Sequence, residues 1–260
     1  MADERVQLTR DGHIAVITNN NPAKHNAFDD EMDFALFEIL DEIKADKSIR
    51  AVVWRGEGKS WSSGRDVAAI GGQQVEMPHH ALMERGQRGI QQLWEIDAPV
   101  IVAIQGWAIG GSFQRALLCD IRVAAEGARF MLPEVTHGVI PDTGGVGRLF
   151  EICGSGLVSD MVLTGRILSV EEALTHGIVS RIVAPEELDD TVMEMAAKVA
   201  AASPYTVQLA RRVIRNLADE NLRRSMNDEY AYQTLVNRSD DYAEFRAARA
   251  EQRDPEYKRS

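Results

Sequence analysis

The chain has two cysteines in 260 residues, 6% aromatics, and 29 Lys plus Arg against 40 Asp plus Glu. Each shortage excludes something. Cys119 and Cys153 sit inside apolar segments and read as buried free thiols, so a disulfide scaffold is excluded. The basic deficit leaves a net charge of −11, which argues against a nucleic-acid surface. It does not argue against an anionic small ligand, because a few arginines and backbone N–H groups bind phosphate on an acidic protein. No apolar run approaches the ~20 residues that span a bilayer, so no membrane partner is expected. Residues 1–10 lack the basic-then-apolar form of a secretory signal, and with the cysteine usage this points to the cytoplasm. His79-His80 lacks the surrounding Cys, His or acidic residues at ligand spacing, so no metal is expected. There is no G-x-S-x-G elbow and no glycine-lysine phosphate loop, and Gly56-x-Gly58 lacks the third glycine of a dinucleotide site.

What is present is a globular composition, 45% hydrophobic and 27% charged. Val6–Arg10 and Ile14–Thr18 read as strands joined through Asp11-Gly12. Asn19–Asn26 is a turn-rich loop, and Asp29 caps a helix with Met32, Leu36, Leu40 and Ile43 at helical spacing. Ala51–Trp54 is the next buried strand. Residues 67–87 are the least regular part of the core and read as a cover over a site. Val100–Ile104, a Gly-rich turn, a helix ending near Cys119 and Ile121–Ala125 repeat the strand-helix-strand pattern. Ser169 caps a short helix to Thr175, and a strand follows to Val183. Beyond Pro185 only helices are expected, near 186–202, 204–217, 219–237 and 240–251. An α/β core with a helical appendage follows.

The Gly-rich turn holds the adjacent Gly110 and Gly111 at a helix start, where backbone N–H groups lack intrahelical partners and carry the positive dipole end. Trp61-Ser-Ser-Gly-Arg-Asp66 is a second such loop. Two donor loops can hold one oxygen from two sides, as a developing enolate requires. Turn and packing roles are the alternative for these glycines.

Taken in order, Asn21-Pro-Ala-Lys-His-Asn-Ala27, Gly56–Asp66, the Gly-rich turn, Ala128–Gly145 and Glu251–Lys258 resemble the crotonase superfamily, the enoyl-CoA hydratase/isomerase family, over nearly the whole chain. The resemblance implies a spiral of repeated strand-helix turns, with a core at 1–195 and a helical trimerisation region at 196–260. It implies an acyl-CoA substrate, no cofactor beyond the coenzyme A of that substrate, and a homotrimer or dimer of trimers. By motif position the oxyanion donors are the N–H groups of Arg65 and Gly111. Coenzyme A contacts fall at Lys24, His25, Ser63, Asp66 and Val67, with Lys24 and His25 otherwise solvated turn residues. Glu134 aligns with a catalytic glutamate and would shuttle a proton.

The chain also departs from the pattern. The family's other glutamate falls at Gln114, whose amide orients water but does not exchange protons at neutral pH. Asp142, eight residues after Glu134, stands where many hydratases have glycine. Isomerases, a dehalogenase and the carnitinyl-CoA dehydratase group of the same superfamily place aspartate there. Asp142 is either catalytic or the cap of a helix starting near Thr143. His137 is read as structural. Arg249 and Gln252 stand where the family often uses Phe and Lys at the adenine. The expected activity is hydration, dehydration or isomerisation of an enoyl-CoA. A non-catalytic acyl-CoA binder and lyase or dehalogenase chemistry at Asp142 are the alternatives.

Overall fold

The computed structural model describes residues 3–66 and 79–259. Strand β1 (Val6–Asp11) pairs antiparallel with β2 (Ile14–Asn19), the expected hairpin. Helix α1 (Asp30–Ala45) follows, with the Asp29 side chain accepting from the Met32 N–H. It crosses to β3 (Ala51–Gly56), parallel to β2. Helix α2 (His79–Glu95) leads to β4 (Val100–Ile104), then β5 (Trp107–Ile109), α3 (Gly110–Leu118), β6 (Ile121–Ala125) and β7 (Arg129–Met131). Helix α4 (Gly145–Thr164), β8 (Ile167–Ser169), α5 (Val170–Thr175) and β9 (Arg181–Val183) complete the α/β part. The chain ends in α6 (Leu188–Ala201), α7 (Pro204–Val236) and α8 (Asp240–Ala250).

Among the described residues, the main sheet runs in the order β1-β2-β3-β4-β6-β9, parallel from β2 onward. Its centre is near-continuously apolar because both faces are covered. Ala15, Ile17, Val52, Trp54, Val100, Val102 and Ile104 point to one core, which also holds Leu36, Leu40 and Phe113. The alternate residues Ile14, Val16, Ala51, Val53, Ile101 and Ala103 point to the other. There α6 lays down Leu188, Val192, Ala196 and Ala200, one residue per turn. This helix spans the position between 195 and 196, so the expected core boundary falls within an element packed on the sheet.

Several expectations change. Of the stretch expected to be irregular, residues 79–87 are the first half of α2, and 67–78 lie outside the described residues. Gly86 and Gly89 weaken the helical signal, yet Gly89 serves packing: a Cβ there would lie 2.0 Å from the Phe37 ring, so α1 and α2 approach closely. The helices expected at 204–217 and 219–237 are one helix of 33 residues. A second sheet, β5-β7-β8, has strands of three residues each, too short for an alternation pattern to show. The Ser169 cap is as expected, in a capping box with Glu172.

Phe130 on β7 is fully buried and meets the Phe113 ring at 5.2 Å. Phe130→Ala is expected to cost about 3–5 kcal/mol. The check is the fall in the urea midpoint at unchanged m-value.

Candidate active site

The site begins with two backbone loops held in contact. An isolated parallel bridge joins Ser62 to Ala108, and Ile109 N–H donates to the Ser62 carbonyl at 3.1 Å. Gly64 has φ +89°, and a Cβ there would lie 2.6 Å from the Ile109 carbonyl oxygen. A side chain is therefore excluded twice over, by conformation and by space. Asn26, fully buried, fixes the loop from behind: its amide donates to the carbonyls of Ser60 and Glu57, and its oxygen accepts from Asn21 N–H.

Gly64, Arg65, Gly110 and Gly111 all line one cavity of about 690 Å³. That is the size of a small-molecule site. Gly111 lies in the first turn of α3, where the cap residue offers no side-chain bond. Its N–H therefore belongs to the unpaired set at a helix start. Among the described residues, the Arg65 N–H meets no backbone acceptor, whereas its neighbours do: Ser63 N–H donates to His25 and Asp66 N–H to Phe28.

Glu134 starts a short 3₁₀ turn, 134–137, and faces the same cavity. It sits over the start of α3, since a Cβ on Gly110 would lie 3.4 Å from its Oε1. That oxygen accepts from Gln114 Nε2 at 2.7 Å. The other, Oε2, is buried without a hydrogen-bond partner among the described residues. Burial pushes the Glu134 carboxyl up to about 7; local backbone and Gln114 hydrogen bonds pull the other way, and the nearby charges of Asp142 and Glu229 add to the rise.

Gln114 is fully buried and its amide is fixed at both ends. Its Oε1 accepts from Thr143 N–H at 3.0 Å and Gly145 N–H at 3.3 Å, so Nε2 must face Glu134. With the carbonyl so occupied, only the second Nε2 hydrogen is left for a water.

Asp142 lines the cavity and does not cap α4. The cap residue is Gly144, without a side-chain bond. The N–H groups there go to Gln114 and, at 2.8 Å, from Gly144 to Glu229 of α7. These two acceptors replace the cap expected of Asp142. Burial raises the Asp142 carboxyl to about 6, against the pull of Arg115 and Arg65.

The expected coenzyme A residues are brought together only in part. Ser63 lines the cavity. Lys24, His25 and Asp66 lie beside it: Lys24 pairs with Asp66 at 2.7 Å, His25 Nδ1 meets Ser60 Oγ at 3.0 Å, and Ser63 Oγ donates to the Lys24 carbonyl at 3.3 Å. Val67 lies outside the described residues, as do the side chains of His79 and His80. His137 lines the cavity and packs on Phe245 with ring centroids 5.8 Å apart.

Sequence reasoning missed the ionic wall. Asp30 and Asp33, both buried in the first turn of α1, line the cavity with the guanidiniums of Arg65, Arg85 and Arg115. Their spacing of three on one helix face was the available signal. Glu229 gave none, being 85 residues from its partner.

Residues 9–260 match the family model described as enoyl-CoA hydratase/isomerase. The chain belongs to the enoyl-CoA hydratase/isomerase family. A carnitinyl-CoA dehydratase of Salmonella arizonae is 37% identical over 260 residues, covering 98% of each chain. Among solved structures, an enoyl-CoA hydratase/isomerase from Pseudoalteromonas atlantica superposes at TM-score 0.89 and 27% identity, covering 98% of this chain and 100% of that one. An enoyl-CoA hydratase from Bacillus anthracis gives 0.77 at 28% identity, covering 99% and 100%. The chain is thus a crotonase-type enzyme of the family, with the expected fold. Among the described residues, no helix is long and apolar enough to cross a membrane.

A carboxyl raised by burial destabilises the fold where it must ionise. The Glu134 contribution is favourable below its unfolded value of 4.5 and is lost as pH rises through about 7. Glu134→Gln is therefore expected to stabilise the protein at pH 8.5 by about 1–3 kcal/mol, with the difference vanishing at pH 4. Paired urea titrations at the two pH values test this.

Proposed function

We propose that the protein adds water to, and removes it from, the Cα–Cβ bond of an acyl-CoA, with Glu134 and Asp142 as the two proton-carrying groups. The observation that carries this reading is the state of Glu134. It is a buried carboxyl near neutrality with one oxygen anchored and the other unpaired, at a cavity lined by two N–H-bearing loops. Such a group both gives and takes a proton at neutral pH. The Arg65 and Gly111 N–H groups hold the thioester oxygen, and the charge that develops there is met by donors already in place.

In hydration, Asp142 takes a proton from water as the water oxygen bonds to Cβ. The double-bond electrons move into the enolate, and its Cα takes the proton from Glu134. Dehydration is the reverse, releasing one water. Burial raises both carboxyls toward neutrality, which suits each to carry a proton in this reaction. The relatives named as dehydratases support the same reaction class. Lys24, His25, Ser63, Asp66 and Val67 contact coenzyme A, and no other cofactor is used. The exposed apolar row Tyr205, Val213, Ile214 and Leu217 on α7 supports assembly as a trimer. Double-bond isomerisation is the second reading. It is favoured by the fixed, non-titrating amide at Gln114, which leaves Glu134 free to move one proton between two carbons.

Absorbance assays on 2-enoyl- and 3-enoyl-CoA separate the two reactions. Glu134→Gln is expected to lower kcat by about 10²–10⁴ while acyl-CoA binding persists. Binding with no turnover in the parent protein would instead mark a non-catalytic binder. Asp142→Asn should lose hydration and keep isomerisation, if any is present. Gly111→Pro removes one oxyanion donor at a first-turn position, where a helix tolerates proline and a Cβ meets nothing closer than 3.8 Å. It is expected to lower kcat by about 10²–10³; an unchanged rate overturns the role of that N–H.

A further inference from the structure

The segment that carries Asp142 is hung from side chains. Pro141 has no N–H, and no N–H from Ile140 to Gly145 donates to a backbone carbonyl among the described residues. Ile140 donates to Gln233 Oε1 at 3.0 Å, Gly144 to Glu229 Oε2 at 2.8 Å, and Thr143 and Gly145 to Gln114 Oε1. Glu229 and Gln233 lie one turn apart on α7, and both are buried. Ser225, a turn earlier, donates its hydroxyl to Glu229 Oε1 at 2.6 Å and so fixes the carboxyl. The contact with α7 is close: Gly144 has φ +77°, and a Cβ there would lie 3.0 Å from Leu222 Cδ1 and 3.4 Å from Met226 Cγ.

Asp142 precedes Gly144 by two residues, the spacing at which an aspartate side chain closes an Asx turn on a backbone N–H. It also stands just before the start of α4, where aspartate ordinarily caps. The local sequence offers that closure, and the acceptor arriving from α7 takes its place. Glu229 holds the Gly144 N–H that the turn would use, while Gln114 holds the N–H groups on either side. Asp142 is thereby left lining the cavity.

We propose that Glu229 is a positioning residue for the water chemistry: by occupying the Gly144 N–H it keeps Asp142 from folding back onto the helix start and leaves the Asp142 carboxyl available at the cavity. The inference rests on the role given above to Asp142 and adds the residue that makes that role possible. Glu229 is not among the residues lining the cavity, so it acts through Asp142 and not on substrate. Without its acceptor the buried Gly144 N–H would be unsatisfied, a costly state that Asp142 is placed in sequence to relieve. Gln233 pins the other end of the same segment through Ile140.

The test reads two reactions in parallel. Hydration of a 2-enoyl-CoA uses both carboxyls. Exchange of a Cα hydrogen of the saturated acyl-CoA in deuterated water uses Glu134, which takes the proton to form the enolate and returns a deuteron, and it does not use Asp142. In Glu229→Leu, hydration kcat is expected to fall about ten- to a hundredfold at a KM within a few-fold, while Cα exchange stays within a few-fold of the parent rate. Glu229→Gln keeps an acceptor for the Gly144 N–H and should hold hydration near the parent rate. Glu229→Asp draws the carboxylate back by one methylene and keeps its charge; it should show the same split, and it serves where Glu229→Leu does not fold. Hydration unchanged in these two variants, an equal loss of both reactions, or a loss in Glu229→Gln as large as theirs overturns the inference and leaves the hydratase reading standing. No hydration by the parent protein, or full hydration by Asp142→Asn, overturns the role of Asp142 and this inference with it.

Discussion

The amide of Gln114 is the joint on which the site depends. It stands on α3, accepts from the first N–H groups of α4, and donates to the carboxyl of Glu134. Three segments that line the cavity are thereby locked in one register: the start of α3, the turn of Glu134 and the loop bearing Asp142. An amide suits this place because it has a donor end and an acceptor end. The acceptor end satisfies two buried N–H groups that no side-chain cap serves. The donor end satisfies one oxygen of a carboxyl that burial would otherwise leave without partners. Gly145 shows how tight the joint is, since a Cβ there would lie 2.3 Å from the Gln114 side chain.

Around that joint the cavity separates its charges. Carboxyls that burial makes harder to ionise, Glu134 and Asp142, lie by the helix starts. A carboxylate held firmly ionised, Asp30, lies on α1. Burial alone would raise Asp30, but the guanidiniums of Arg65 and Arg85 reverse the effect and hold it below its ordinary value. The same residue type therefore serves two purposes in one cavity. Partners decide which: Glu134 has an amide, Asp30 has two cations. Arg65 links the two halves, since its backbone belongs to the loop bridged to the strand before α3 and its side chain to the ionic wall.

Much of this was legible in the residues. Alternating apolar strands, Asp29 and Ser169 as caps, and the paired glycine loops all express local rules that the tertiary structure leaves intact. Gln114, Glu134 and Asp142 were placed by spacing within motifs; Glu134 and Asp142 both line the cavity, while Gln114 is fully buried, bonded to Glu134, and is not among the residues lining it. What escaped was set by distance or by shortness. Strands β5, β7 and β8 are too brief to alternate. The helical signal of α2 is weakened by two glycines, of which Gly89 serves the close approach to Phe37. Asp142 looked like a cap because aspartate before a Gly-rich turn commonly is one; here Gln114 and Glu229 had already taken the N–H groups. No local pattern announces an acceptor arriving from α7.

The departure at Gln114 also changes how the site titrates. A glutamate there would keep its acceptor end on the α4 N–H groups and place its other oxygen 2.7 Å from Glu134, where Nε2 now lies. Two carboxyls at that separation share one proton, and neither then has a value of its own. With an amide in the place, Glu134 is influenced mainly by burial, and Asp142 is a second raised carboxyl on the same cavity. An amide stands at 114 and a carboxyl at 142, and the amide is the support that holds Glu134 in place.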